Sequence, residues 1–132
     1  MPSIHWLAVV VAALSAFLLG GIWYSPLGFH ESWKAAAQLS DAQLQQRSPL
    51  RTFGGAWFLS LVAAAVFALF LGPSPSLTLG LGAGFAAGLC WVAASFGINY
   101  LFECRPLKLL LINGGYHTLQ FTLYGLILGL WH

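Results

Sequence analysis

The chain has 132 residues, of which 59% are apolar and 6% charged, and its eight formal charges (five Lys or Arg, three Asp or Glu) leave a net charge of +2. Soluble domains carry about a quarter charged residues, so a water-soluble fold is excluded, as are a disordered chain and a nucleic-acid binder, which need dense charge. The mean hydropathy of +0.82 points the same way.

The charges fall in two short windows. Glu31, Lys34, Asp41, Arg47 and Arg51 occupy one, and Glu103, Arg105 and Lys108 the other, leaving 1–30, 52–102 and 109–132 free of Asp, Glu, Lys and Arg. A spanning helix needs about 20 mainly apolar residues. The sequence therefore predicts an all-α polytopic membrane protein of one domain, 1–132, with four transmembrane helices at about 4–24, 53–71, 77–102 and 107–131 in an antiparallel bundle. The Gly72-Pro73-Ser74-Pro75-Ser76 run separates the second helix from the third. Runs such as Leu61 to Leu71 do not alternate as strands of a membrane barrel would.

The first helix is expected to be retained. Met1-Pro2-Ser3-Ile4-His5 lacks the basic residues of a signal peptide, and the apolar run behind it is too long. Ser25-Pro26-Leu27-Gly28 should end this helix and start an amphipathic loop, 25–52. Within the loop, Glu31 to Gln38 reads as a short interfacial helix with Trp33 at the bilayer surface. Ser40-Asp41-Ala42-Gln43 has the form of a capping box, opening a helix from Asp41 to Arg47 that Pro49 ends. The loop either lies on the inner leaflet or serves as a docking arm for a protein partner.

All five basic residues lie in the first and third loops, on one side of the membrane. The positive-inside rule puts those loops in the cytoplasm and both termini outside, as a multi-pass protein of the inner (plasma) membrane. Trp6 and Trp131 would mark the outer surface; Trp23, Tyr24, Trp33, Trp57 and Tyr100 the inner one. Cys90 and Cys104 would be about 21 Å apart along a helix, too far for a disulfide, and no metal-ligand spacing is present.

Gly21-Ile22-Trp23-Tyr24-Ser25-Pro26-Leu27-Gly28-Phe29, with Trp33 beyond it, resembles the Trp-Tyr-Ser-Pro signature of domain-of-unknown-function family 1761. Asn99-Tyr100-Leu101-Phe102-Glu103, Arg105-Pro106-Leu107-Lys108 and Ile112-Asn113-Gly114-Gly115-Tyr116-His117 are similar to that family as well. His30 and Glu31 depart from its pattern, where Gly and Lys would stand. The resemblance implies a small four-helix membrane protein and no particular activity.

Two further patterns bear on function. Gly21-Ile22-Trp23-Tyr24 is echoed by Gly97-Ile98-Asn99-Tyr100, and Gly54-Gly55-Ala56-Trp57 by Gly114-Gly115-Tyr116-His117. These echoes are either a 2+2 parallel internal repeat, with Trp57 and His117 equivalent, or coincidences of a glycine-rich chain. At 100° per residue, Asn113, His117, Gln120 and Tyr124 form one stripe on the fourth helix. Gly80, Gly84, Gly88, Trp91, Ser95 and Asn99 form a facing stripe on the third, with His117 expected beside Trp91.

Polar side chains are costly against lipid, so the stripe must face protein or a water-filled cavity. Two readings follow: a hydrogen-bond network that fixes helix register, or a pocket or path for a small neutral or anionic solute. With no carboxylate inside a span, His117 lacks an acidic orienter, so an enzyme, a cofactor and a metal site are not expected. His5, His30 and His132 read as interfacial. Gly125 and Gly129, with Ala63, Ala64, Ala65 and Ala68, add small faces that suggest a homo-oligomer. The expectation is a structural or interaction protein in the lipid bilayer, with a channel or transporter as the alternative.

Overall fold

A computed structural model describes residues 4–132, and the first three residues of the expected domain lie outside the described residues. The fold is all-α, with no strand among the described residues. Helix α1 (Trp6–Trp23) begins where His5 Nδ1 accepts from the Ala8 amide at 3.0 Å, which satisfies one of the orphan donors of a helix start. Its buried residues, Ala8, Val9, Ala12, Ala13 and Ala16, recur at helical spacing and make a smooth stripe. Helix α4 (Gly55–Leu71) lies along that stripe with Ala64, Phe67 and Ala68. Such small side chains let two helix backbones approach closely.

Two short helices join them, α2 (His30–Ala36) and α3 (Asp41–Gln46). The capping box is present: Ser40 Oγ accepts from Gln43 N at 3.1 Å, and Ser40 N donates to Gln43 Oε1 at 2.8 Å. Pro49 does not end a helix, as its ring had suggested; it starts one. Ser48 Oγ accepts from Arg51 N at 3.3 Å, and Ser48 O accepts from Thr52 N at 2.9 Å. Proline tolerates the first helical position because its missing N–H would have no partner there. A π-helical turn, Leu50–Gly54, then feeds into α4.

Gly72, at φ +86°, breaks the chain after α4 in a conformation open to glycine. Ser76 Oγ accepts from Leu79 N at 3.0 Å and caps α5 (Leu77–Ala86). π-Helical turns over Ala87–Ala93 carry α5 into α6 (Ala94–Phe102), and a tight turn through Cys104, at φ +58°, leads to α7 (Leu107–Leu130).

Three helices are long and apolar enough to cross a membrane: Trp6–Trp23, Leu50–Leu71 and Leu77–Phe102. Helix α7 has the length, 24 residues, but Lys108, Asn113, His117, Gln120 and Tyr124 set it apart from that apolar set. It is the central helix, packed against α5 and α6 on one side and α1 on the other. Pairs from His5–Trp131 at one end to Trp23–Ile112 at the other show that α1 and α7 run antiparallel.

Candidate functional site

The Trp-Tyr-Ser-Pro turn clamps α1 onto α7. Trp23 Nε1 donates to Ile112 O at 2.9 Å, and Tyr24 OH donates to Asn113 Oδ1 at 2.6 Å. The turn is held by its own backbone: Ser25 O accepts from Gly28 N at 2.8 Å, and Trp23 O accepts from Phe29 N at 2.7 Å. A Cβ on Gly28 would meet Ile22 O at 2.6 Å, so the turn has room only for glycine. Trp33 packs edge-on against the Tyr24 ring at 5.3 Å.

Asn113 completes a bridge between helices. Its Nδ2 donates to Tyr100 OH at 2.7 Å, so one amide ties the end of α1 to α6 through α7. One helical turn on, Tyr116 OH donates to Ala16 O at 2.8 Å. The His117 ring stacks on Phe96 of α6, with centroids 5.0 Å apart.

From His117 a chain of hydrogen bonds crosses the protein. His117 Nδ1 lies 2.6 Å from Gln120 Oε1, an acceptor, so Nδ1 carries the proton. Gln120 Nε2 donates to Tyr124 OH at 2.7 Å, and Tyr124 OH donates to Ser60 Oγ of α4 at 2.7 Å. Ser60 Oγ then donates to Ala13 O of α1 at 3.1 Å. This donor order uses each hydroxyl proton once and ends on a backbone carbonyl. Tyr124 is fully buried, and Gln120 and Ser60 nearly so. No buried side-chain nitrogen or oxygen among the described residues lacks a partner.

The polar stripe therefore lies between the third and fourth long helices only in part: Asn113 and His117 meet Tyr100 and Phe96 of the third, whereas Tyr124 turns to Ser60 of α4. The α5–α7 contact is made of backbone. A Cβ on Gly88 would sit 2.6 Å from Thr118 Cα, one on Gly84 would sit 3.1 Å from Thr122 Cα, and Gly80 meets Gly125 directly. Gly129 likewise faces Leu77. No large side chain fits there. Residues 113, 117, 120 and 124 are one position before the 114, 118, 121 and 125 row, about 100° round the helix, and so leave the backbone contact, Asn113 reaching Tyr24 and Tyr100 and Tyr124 reaching Ser60 of α4.

Trp91, Ser95 and Asn99 are a second correction. All three are exposed, and none faces α7. A π-helical turn holds more residues than an α turn, which rotates everything beyond it. The buried face runs Gly80, Gly84, Gly88 and then Ala93, followed by Phe96, Gly97 and Tyr100, instead of continuing through Trp91, Ser95 and Asn99. Tyr24, Tyr100, Tyr116 and Ser60 are the partners that pattern reading missed. Ser60 had one signal, a lone hydroxyl inside the apolar run Phe58 to Leu71.

The charged loops meet at one end. Lys34 Nζ bridges Asp41 at 2.7 Å and Glu31 at 3.3 Å. The Lys34 ammonium beside Asp41 holds its carboxyl below the usual range. Arg105 Nη1 donates to Ala37 O at 3.3 Å and its Nε lies 3.7 Å from Glu103. A shallow hollow there is lined by Gln38, Glu103, Cys104, Arg105 and Pro106; another, at the opposite end, by His5, Gly72, Leu128 and His132 among others. Cys90 and Cys104 are both unpaired and exposed. Among the described residues, no three His, Cys, Asp or Glu side chains gather as a metal site would need.

A helical chain with three membrane-length apolar helices around a polar central helix is what fold and site define. The chain belongs to the family described as "Protein of unknown function (DUF1761)", whose model matches residues 7–129. No curated protein and no solved structure matches it.

Proposed function

We propose that this is a non-enzymatic, four-span protein of the inner (plasma) membrane, one domain over 1–132, whose polar seam is structural: it locks helix register so that the bundle can act as an interaction scaffold. The observation that carries this reading is the saturation of the seam. Each polar group from His117 Nδ1 to Ala13 O is bonded to the next, and Asn113 is held between two tyrosines; His117 Nε2 is the one ring atom of the seam outside this chain. A binding pocket or conduction path needs polar groups left free to exchange partners. Interhelical hydrogen bonds contribute about 1 kcal/mol each in membranes, enough to set one register among several.

The topology proposed is four crossings with both termini outside. The meeting of the two basic loops at one end, through Arg105 and Ala37, supports it. The proposed 2+2 parallel repeat rests on its sequence echoes: in their register Phe17, which packs on Trp57, corresponds to Ala93 and not to Phe96, which stacks on His117.

Singly replacing His117, Asn113 and Gln120 by Leu tests the role. The scaffold reading expects each variant to unfold more easily and liposomes carrying the wild type to show no solute flux. Flux of anions or small neutral solutes that disappears in these variants while their stability holds would establish transport instead.

A further inference from the structure

The hollow where the two charged loops meet has a volume of about 400 Å³. Two helix ends wall it: Gln38 follows α2 and Cys104 follows α6, at φ +60° and +58°. Both ends close alike. Gln38 N donates to Ala35 O and Leu39 N to Lys34 O after α2; Cys104 N donates to Leu101 O and Arg105 N to Tyr100 O after α6. The Gln38 and Cys104 carbonyls accept no hydrogen bond among the described residues. A helix C-terminus carries about half a negative charge. Two of them and the Glu103 carboxylate therefore face one cation in the hollow. That cation, Arg105, is shared between Glu103 at 3.7 Å and Ala37 O at 3.3 Å, which leaves the hollow short of positive charge. Next to it the sign reverses. Helix α7 starts at Leu107 with the positive end of its dipole, and Lys108 in its first turn forms no ion pair among the described residues. Leu101, Phe102 and Leu107, beside the hollow in the chain, are all exposed.

We infer that this hollow takes the headgroup of an amine-bearing, zwitterionic phospholipid, its ammonium at Glu103 and the helix C-termini, its phosphate toward Lys108 and the start of α7. The inference rests on the four-span reading, which sets these helix ends at headgroup level. A primary ammonium offers three N–H donors, which suit a carboxylate and open carbonyls. A choline headgroup has the charge without the donors, and an anionic headgroup lacking an amine has nothing to offer Glu103. The ligand is a lipid and not a free amine because Leu101, Phe102 and Leu107 give its acyl chains an apolar surface next to the polar site. Both charged groups are solvent-exposed, so the preference over choline lipid is modest, about fivefold.

The experiment uses the full chain, with carbonate extraction from liposomes checking separately that it is membrane-inserted; failure there overturns the four-span reading, whereas the outcomes below judge the headgroup site in inserted protein. Native mass spectrometry from micelles holding equal phosphatidylethanolamine, phosphatidylcholine and phosphatidylglycerol reads which lipid is retained. The ethanolamine lipid should exceed the choline lipid by about fivefold. Glu103→Gln should bring that ratio to about one, Lys108→Gln should lower retention of both lipids and keep the ratio, and Arg47→Gln, in the other loop, should change neither. Cys90→Ser leaves Cys104, which lines the hollow, as the single thiol. A neutral maleimide should label it more slowly in nanodiscs containing phosphatidylethanolamine than in all-choline nanodiscs, and soluble glycerophosphoethanolamine should give no protection. Equal retention of the three lipids, preference for phosphatidylglycerol, a ratio that survives Glu103→Gln, or protection of Cys104 by the soluble headgroup as good as that by the lipid each overturns the inference.

Discussion

Replacing Tyr124 by Phe removes one oxygen from the centre of the seam and leaves the ring in place. That oxygen accepts from Gln120 Nε2 at 2.7 Å and lies 2.7 Å from Ser60 Oγ and 3.2 Å from Ser60 O. No cavity forms, so the loss is a hydrogen-bond loss. Ser60 keeps its bond to Ala13 O, whereas Gln120, 7% exposed, keeps a donor with no acceptor. Stranding a buried donor costs about 1–3 kcal/mol, and interhelical bonds in membranes reach about 1.7, so Tyr124→Phe should cost about 1.5 kcal/mol. Gln120→Met removes the stranded group itself, so the double variant should be more stable than the sum of the singles predicts, by about 1 kcal/mol. Unfolding in mixed micelles of rising denaturing-detergent content, followed by tryptophan fluorescence, reads all four species. A Tyr124→Phe cost under about 0.3 kcal/mol, or strict additivity, refutes the network.

Other substitutions probe the remaining contacts. Gly84→Ala drives a methyl into the Phe121–Thr122 backbone and should cost about 2 kcal/mol in the same assay, while Gly21→Ala, which meets nothing within 4 Å, should be neutral or slightly stabilising. Asn113→Leu strands the Tyr24 and Tyr100 hydroxyls together and should cost about 2 kcal/mol. Because Asp41 titrates below its unfolded value, the Lys34–Asp41 tether is fully present above about pH 4 and lost as pH falls through the lowered folded value. Protease cleavage between α2 and α3 should therefore accelerate toward pH 3 in the wild type, and Asp41→Asn should show fast cleavage without that dependence.

Much of this was legible in the residues. Charge-free runs outlined the apolar helices, Ser40 and Gln43 announced their own capping box, and the 113–117–120–124 spacing put the polar groups of α7 in one row. What that row faces was not legible. Its direction is decided by the glycines of α5, which bring two backbones into contact and exclude every larger side chain from that side. The rotation at Ala87–Ala93 was equally hidden, since nothing in Ala87-Gly88-Leu89-Cys90 marks a π turn, and one added residue moved Trp91, Ser95 and Asn99 to the opposite face. Tyr24, far from Asn113 in sequence, could be matched to it only by shared depth. The Trp-Tyr-Ser-Pro resemblance located the motif without its purpose, which is to bind the start of α7.

The central claim is that the polar groups from His117 Nδ1 to Ala13 O satisfy one another and leave no gap for solute or water along that line. A high-resolution map of the protein in a lipid nanodisc tests it at His117, Gln120, Tyr124 and Ser60. The account predicts continuous side-chain hydrogen bonds from His117 to Ala13 O with no density between them. Ordered water or an ion inserted along that line, between α7 and the α1–α4 pair, would contradict it.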